Sequence, residues 1–175
     1  KKQLIAITIA SVIFLFVTAS NYRLFRNYSL VLYILGVTLL GSVLIFGETI
    51  RGATGWFTIG STSFQPVEFM KVALVIALAT YFSSKVQRPL RFKDIALSAV
   101  IAFLPVGLVL MQPDLGSALV LVGTWFFMAL FAGMQSRHTF ALIFSGTAFS
   151  IFSWFFFLAE YQKGRILTFV DPTYD

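Results

Sequence analysis

The sequence alternates between long apolar runs and short polar segments. Six runs of 16 to 19 residues lie at 4–19, 28–46, 66–82, 95–111, 115–133 and 140–158. Each is close to the ~20 residues that an α-helix needs to cross ~30 Å of hydrocarbon, whereas barrel strands would alternate apolar and polar residues. The pattern predicts an all-α fold, a polytopic transmembrane helix bundle that forms one transmembrane domain over 1–175. Pro105, inside the fourth run, predicts a kink there.

Composition excludes the other broad classes of protein. Hydrophobic residues make up 58% of the 175 residues, with only 13 basic and 7 acidic residues and a mean hydropathy of +0.88. A soluble domain is nearer half apolar and a quarter charged, and a disordered chain needs low hydrophobicity. The lack of cysteine excludes disulfides and thiolate chemistry. The net charge of +6 is assigned to membrane topology, so no nucleic-acid partner is expected.

The charged residues sort the loops into two sides. Segments 21–27, 83–94 and the turn near Arg137 hold seven basic residues and one acid, Asp94. Segments 47–65 and 112–114 and both termini, together with Glu68 at the adjoining start of the third run, hold the other six of the seven acids. The positive-inside rule places the basic side in the cytoplasm and both termini outside. Since an outward amino terminus needs an explanation and no signal peptide is visible, the chain is expected to be an interior piece of a larger polytopic protein.

The start of the third run carries the first candidate site. Pro66 suits a first helical turn, and Glu68 then lies where the positive helix end favours an anion. Lys71 follows three residues later, on the same face and about a turn and a half inside the predicted helix. It can snorkel outward or pair with a carboxylate. Because charged residues within spans usually mark sites or pathways, the sequence favours a functional Glu68–Lys71 pair.

A second junction of the same kind, Gln112-Pro113-Asp114, joins the fourth and fifth runs. Asp114 is either a plain helix cap or converges with Glu68 and Lys71 on one outward-facing polar cavity. Such a cavity can hold a cation, a phosphate with its metal, or a polar head group. In the glycine-rich loop 47–65, tight turns are expected. Trp56 is either a membrane-interface aromatic or part of a rim over a lipid-facing cleft.

Three motifs in order resemble the SEDS family (shape, elongation, division and sporulation proteins), typified by RodA and FtsW, with a slight preference for RodA. The motifs are Arg51-Gly52-Ala53 with Trp56-Phe57, Gly60 and 65–71; then 112–119; then Arg165-Ile166 with 169–172. One departure is Val67, where the family usually has serine. The match covers essentially the whole chain.

The resemblance implies a ten-helix membrane protein, of which this chain looks like helices two to seven. It implies a peptidoglycan glycosyltransferase that polymerises lipid II, an undecaprenyl-pyrophosphate disaccharide-pentapeptide, at the outer face of the bacterial cytoplasmic membrane, in cell elongation or division. It also implies a class B penicillin-binding protein as partner and a divalent cation, Mg or Mn. A lipid II flippase and a scaffold for partner synthases are the alternatives. This piece alone is expected to be inactive.

The resemblance also assigns site residues. The family's catalytic aspartate lies in a loop that would follow residue 175, so the catalytic residue of this protein is unknown. Glu68, Lys71 and Asp114 match positions that line the family's central cavity, and Arg51, Trp56 and Gln65 match its first outer motif. We hypothesise that Lys71, positioned by Glu68, or a metal held by an acid, faces the pyrophosphate of the substrate.

Overall fold

A computed structural model describes residues 2–50, 53–59, 62–85, 89–156, 163–164 and 167. Contacts divide the chain into two compact units, 1–133 and 134–175. The elements are α1 (Lys2–Ala19), α2 (Tyr22–Phe46), β1 (Glu48–Ile50), β2 (Ala53–Ile59), β3 (Thr62–Phe64), α3 (Pro66–Ser83), α4 (Phe92–Leu110), α5 (Leu115–Phe131) and α6 (Ser136–Phe156). A helix coincides with every predicted run, so the all-α architecture is confirmed apart from one small sheet.

Within the described residues, four helices are long and apolar enough to cross a membrane: α2, α3, α4 and α6. α5 is apolar but shorter, with 17 residues, and α1 contributes the apolar stretch Ala10–Ala19. α2 begins six residues before the predicted run because Asn21 caps it, its side chain accepting a hydrogen bond from the Arg23 amide at 3.0 Å.

α3 is the central helix of the first unit and packs against α2, α4 and α5. Met70, Leu74 and Leu78 are fully buried and recur every four residues, which places them on one face. Gly36 of α2 lies against this face. A β-carbon at Gly36 would lie 2.6 Å from the Met70 sulfur, so a larger residue there would require the Met70 side chain to shift.

Pro105 lies inside α4, which continues through it to Leu110. Proline has no N–H, so the carbonyl of Ile101, four residues earlier, loses its usual helical donor. The Tyr33 hydroxyl of α2 donates to this carbonyl at 2.8 Å. The Tyr33 side chain therefore replaces the missing backbone hydrogen bond. Within hydrocarbon such a partner is needed, because no water is present to satisfy the carbonyl.

A second polar contact joins α4 to α5. The Trp125 indole N–H donates to the Ser98 hydroxyl at 3.0 Å, and that hydroxyl donates to the Ile95 carbonyl at 2.8 Å. The Trp125 ring also packs edge-to-face with Phe103, with centroids 5.5 Å apart. The buried indole N–H is thus satisfied, which fixes the register of the two helices.

The segment between α2 and α3 contains strands that the sequence did not predict; the expected tight turns at Gly52 and Gly60 lie outside the described residues. It forms a three-stranded antiparallel sheet in the order β1-β2-β3. Ile50 pairs with Ala53, and Phe57 with Phe64; Thr49 and Thr54 also share a hydrogen bond of 2.8 Å between their hydroxyls. Threonine and aromatic residues favour strands, and this preference outweighs the glycines.

Contacts agree with the predicted sorting for loops of the first unit, whereas the sides of the termini and of the turn near Arg137 stay predictions. Gly55, Gln65, Gln112 and Asp114, all assigned to the acidic side, lie together. On the basic side, the Leu90 amide donates to the Gly133 carbonyl at 3.1 Å. The basic side carries a partly buried ion pair, Lys85–Asp94 at 3.2 Å, and Asp94 also accepts from the Arg91 amide at 3.1 Å. Which side faces the cytoplasm stays a prediction.

Candidate functional site at the starts of α3 and α5

Two helices of the first unit begin side by side. Gln65 immediately precedes α3, and Asp114 immediately precedes α5. The Gln65 side chain does not cap its own helix; instead its amide nitrogen donates to Asp114 Oδ2 at 3.3 Å. Pro66 suits the first turn of α3 because no donor is needed there. The two repeated Gln-Pro junctions thus bring two helix N-termini to one place.

Asp114 caps α5 and serves the site as well. Its Oδ1 accepts from the Ser117 amide at 3.0 Å, and its Oδ2 accepts from the Ser117 hydroxyl at 2.6 Å. Together with Gln65, three donors hold this half-buried carboxylate. The plain-cap interpretation is therefore correct but incomplete, since the carboxylate also joins α5 to the start of α3.

Glu68 and Lys71 form the predicted pair. The Lys71 ammonium lies 2.7 Å from Glu68 Oε1; the Lys71 side chain is 26% exposed and that of Glu68 is 62% exposed. An exposed i,i+3 pair stabilises a helix by only about 0.2–0.5 kcal/mol. The pair therefore adds little to stability, and a binding role for it stays a prediction.

Gln112 is a site residue that sequence reasoning missed. It is buried, and its amide donates to the Leu40 carbonyl of α2 at 3.3 Å. Its Oε1 faces Gly55 of β2 so closely that a β-carbon there would lie 3.1 Å away, with the Gln65 amide nitrogen at 3.9 Å. The sheet therefore lies on the polar side chains at the starts of α3 and α5. The signal was present in the repeated Gln-Pro dipeptide, 65–66 and 112–113.

The predicted site residues form two groups. Gln65 contacts Asp114, and Glu68 contacts Lys71; no hydrogen bond or salt bridge within the described residues joins these pairs. Convergence on one cavity therefore stays a prediction. Trp56 is half-buried in β2, opposite Glu48.

Nine residues of the motifs lie outside the described part of the chain: Arg51, Gly52, Gly60, Arg165, Ile166 and 169–172. So does Asp175, the final residue.

The site contains charges of both signs: Lys71 is positive, and Glu68 and Asp114 are negative. A helix N-terminus carries roughly half a positive charge and presents unpaired amide groups. Two such ends, of α3 and α5, lie together here, and Lys71 adds a full charge partly shielded by Glu68. Asp114 places a negative charge at the start of α5, so Lys71 and the amide groups at the start of α3 are the groups left to meet an anion such as a phosphate group.

The described residues do not provide a protein-built metal cage. In the described part of the chain, no group of three His, Asp or Glu side chains lies together. Glu68 is engaged by Lys71, and Asp114 by its three donors. The implied Mg or Mn ion stays a prediction, and no step is assigned to it.

Comparison with known proteins now decides the family. The sequence model of the FtsW/RodA/SpoVE family, described as cell cycle protein, matches residues 1–175. The chain belongs to this family. The resemblance to the SEDS proteins is thereby confirmed, and the chain is part of a multi-pass bacterial membrane protein.

Curated relatives in the family carry enzyme names. The chain is 31% identical over 153 residues to "Peptidoglycan glycosyltransferase MrdB" of Escherichia coli K12, covering 87% of this chain and 41% of that protein. It is 32% identical over 179 residues to "Stage V sporulation protein E" of Bacillus subtilis, covering 100% and 48%. The chain thus spans less than half the length of these relatives. RodA-type and FtsW-type relatives both match, so the preference for RodA stays a prediction.

Solved structures agree with the fold. A structure described as the coordination of polymerization and crosslinking by a peptidoglycan synthase complex matches with a TM-score of 0.81 and 32% identity, covering 98% of this chain and 50% of that one. The crystal structure of Thermus thermophilus RodA matches with a TM-score of 0.63 and 38% identity, covering 75% and 43%.

Proposed function

We propose that the intact protein is a peptidoglycan glycosyltransferase that polymerises lipid II at the outer face of the cytoplasmic membrane. The observation that carries this proposal is the contact of Gln65 with Asp114, which gathers two helix N-termini one turn from the Glu68–Lys71 pair. Family membership supports it, since curated relatives are named peptidoglycan glycosyltransferases.

Glycosyl transfer needs charge compensation on the leaving group and a base at the acceptor. The bond from the sugar C1 to the pyrophosphate oxygen breaks, and the pyrophosphate leaves with the electron pair. C1 then bonds to the hydroxyl oxygen of the acceptor sugar, whose proton passes to the base. Amide groups and an ammonium aimed at the developing negative charge lower the barrier.

The described residues supply the leaving-group half of this chemistry. Lys71 meets the pyrophosphate while the amide groups at the start of α3 add partial positive charge. Glu68, 2.7 Å from the ammonium, positions it. The base is the aspartate that the family resemblance assigns to the loop after residue 175. A class B penicillin-binding protein is the proposed partner, by analogy with the peptidoglycan synthase complex.

The test uses the purified intact protein with lipid II in membranes, with glycan polymer and the sidedness of lipid II measured separately. Lys71→Met should reduce polymerisation about 100-fold or more, the effect of removing one stabilising charge or donor. Glu68→Gln should reduce it less, because the ammonium remains. The matched control is Lys93→Met, which removes an exposed lysine from the start of α4, on the opposite side.

Insertion and thermal stability are measured on all three variants. Normal polymerisation by Lys71→Met contradicts the assignment of Lys71. Movement of lipid II across the membrane without polymer, by the unmodified protein, contradicts the enzyme and supports a flippase; neither activity supports a scaffold.

A further inference from the structure

A groove lies at the opposite, basic end of the first unit, between the start of α2 and the last turns of α3. Its volume is about 310 Å³. Phe25 of α2 and Val75, Ile76 and Ala79 of α3 form its apolar wall, and Arg26 of α2 lines it as well. An apolar groove with few polar groups is the usual form of a small-ligand site.

Arg26 is the only charged residue among those that line the groove. It is exposed, and within the described residues it forms no salt bridge and no side-chain hydrogen bond. The first turn of α2 contains no acidic residue that would balance the charge of Arg26. This turn also carries the positive end of the helix dipole. The guanidinium therefore adds to a positive potential that a bound anion would lower.

No acid on this side is available to Arg26. The loops assigned to this side contain one acidic residue, Asp94. Asp94 is buried, lies 3.2 Å from the Lys85 ammonium and accepts a hydrogen bond from the Arg91 amide. Asp94 is therefore engaged elsewhere, and Arg26 is open to an anion from outside the chain.

We propose that this groove binds one anionic phospholipid of the leaflet that faces the basic loops. The head-group phosphate pairs with Arg26, and the upper part of an acyl chain lies along Val75, Ile76 and Ala79. Basic pockets between transmembrane helices on the cytoplasmic side are known to suit anionic head groups. The depth agrees, since α2 begins at Tyr22 and α3 ends at Ser83, where the chain leaves the predicted hydrocarbon region.

The experiment measures lipid retention by the intact protein. The protein is delipidated in detergent and titrated with phosphatidylglycerol or with phosphatidylcholine, and lipid-bound species are counted by native mass spectrometry. Phosphatidylglycerol carries a net negative charge and phosphatidylcholine carries none. The proposal expects one phosphatidylglycerol to bind more tightly than phosphatidylcholine.

Two variants test the two halves of the groove. Arg26→Gln should weaken phosphatidylglycerol binding about five-fold, the effect of one basic residue at an anionic surface, and leave phosphatidylcholine unchanged. Ala79→Phe, which fills the groove, should weaken both lipids. The controls lie outside the groove: Arg91→Gln removes an exposed charge on the same side, and Ala96→Phe adds a ring to an exposed position of α4. Neither should change retention.

Three results overturn the proposal. The first is equal retention of the two lipids by the unmodified protein. The second is unchanged phosphatidylglycerol binding by Arg26→Gln. The third is an equal loss with Arg91→Gln, which would show general surface attraction. Polymerisation of lipid II is measured in parallel; it depends on Lys71 at the other end, so failure of either proposal leaves the other standing.

Discussion

Replacing Tyr33 by phenylalanine removes one oxygen atom from the interface between α2 and α4. That oxygen donates to the Ile101 carbonyl at 2.8 Å, and Pro105 offers no N–H as a substitute. In Tyr33→Phe the carbonyl is left without this donor in an apolar surrounding. The side-chain volume hardly changes, so the variant isolates the hydrogen bond.

The expected loss in the free energy of unfolding follows from two general ranges. Leaving a buried polar group unsatisfied costs about 1–3 kcal/mol, whereas hydrogen bonds between membrane helices average about 0.6 kcal/mol with a maximum of about 1.7. Because the proline leaves no helical partner for the carbonyl, we expect a value near the upper membrane limit, about 1.5 kcal/mol. In a Pro105→Ala background the restored backbone N–H supplies the bond, and Tyr33→Phe should then cost about 0.5 kcal/mol or less.

The assay is a double-mutant cycle on the intact protein, with the free energy of unfolding measured in bicelles for four proteins: unmodified, Tyr33→Phe, Pro105→Ala and the double variant. The reasoning predicts a coupling of about 1 kcal/mol between the two positions. Tyr28→Phe is the matched control, since Tyr28 is exposed on the same helix, and it should have no effect. An equal cost of Tyr33→Phe in both backgrounds refutes the role given to the proline.

Three further variants test the packing by the same unfolding measurement. Gly36→Leu should cost about 1–3 kcal/mol through overpacking against Met70; Gly41→Leu, where a β-carbon meets nothing within 4 Å, should cost nothing, and equal losses would contradict this. Asp94→Asn should cost about 3 kcal/mol, because it leaves a partly buried lysine unpaired; stability equal to the unmodified protein would contradict a structural ion pair. Ser98→Ala should cost about 1 kcal/mol, because it leaves the Trp125 indole N–H of α5 without its acceptor. Ser98→Thr keeps a hydroxyl at this position and should recover part of the lost stability.

The helices could be predicted because each apolar run is long enough to indicate a helix that spans a membrane. Their ends were less accurate: α4 begins at Phe92 rather than 95, since the Asp94 side chain accepts from the Arg91 amide and so extends the first turn. The sheet was missed because its strands are short, and the glycines in 47–65 were given more weight than the threonine and aromatic residues between them. Local composition alone does not show which strands pair.

Within the site, only the features that depend on residues close together in the sequence could be predicted. The Glu68–Lys71 contact follows from helical spacing, and Asp114 from its position as a cap. The Gln65–Asp114 contact spans 49 residues of chain, so only the packed helices bring it about. Gln112 was overlooked because a buried amide in a junction gives no periodic signal; its importance lies in its contact with the α2 backbone.

The corner between α4 and α5 also involves α2. α4 ends at Leu110 and α5 begins at Leu115, and the Gln112 amide ties the short link to the backbone of α2. Separating α4 from α5 at this corner would therefore break the contact with α2. Because the Gln112 side chain also faces Gly55 of β2, the same movement would disturb the sheet.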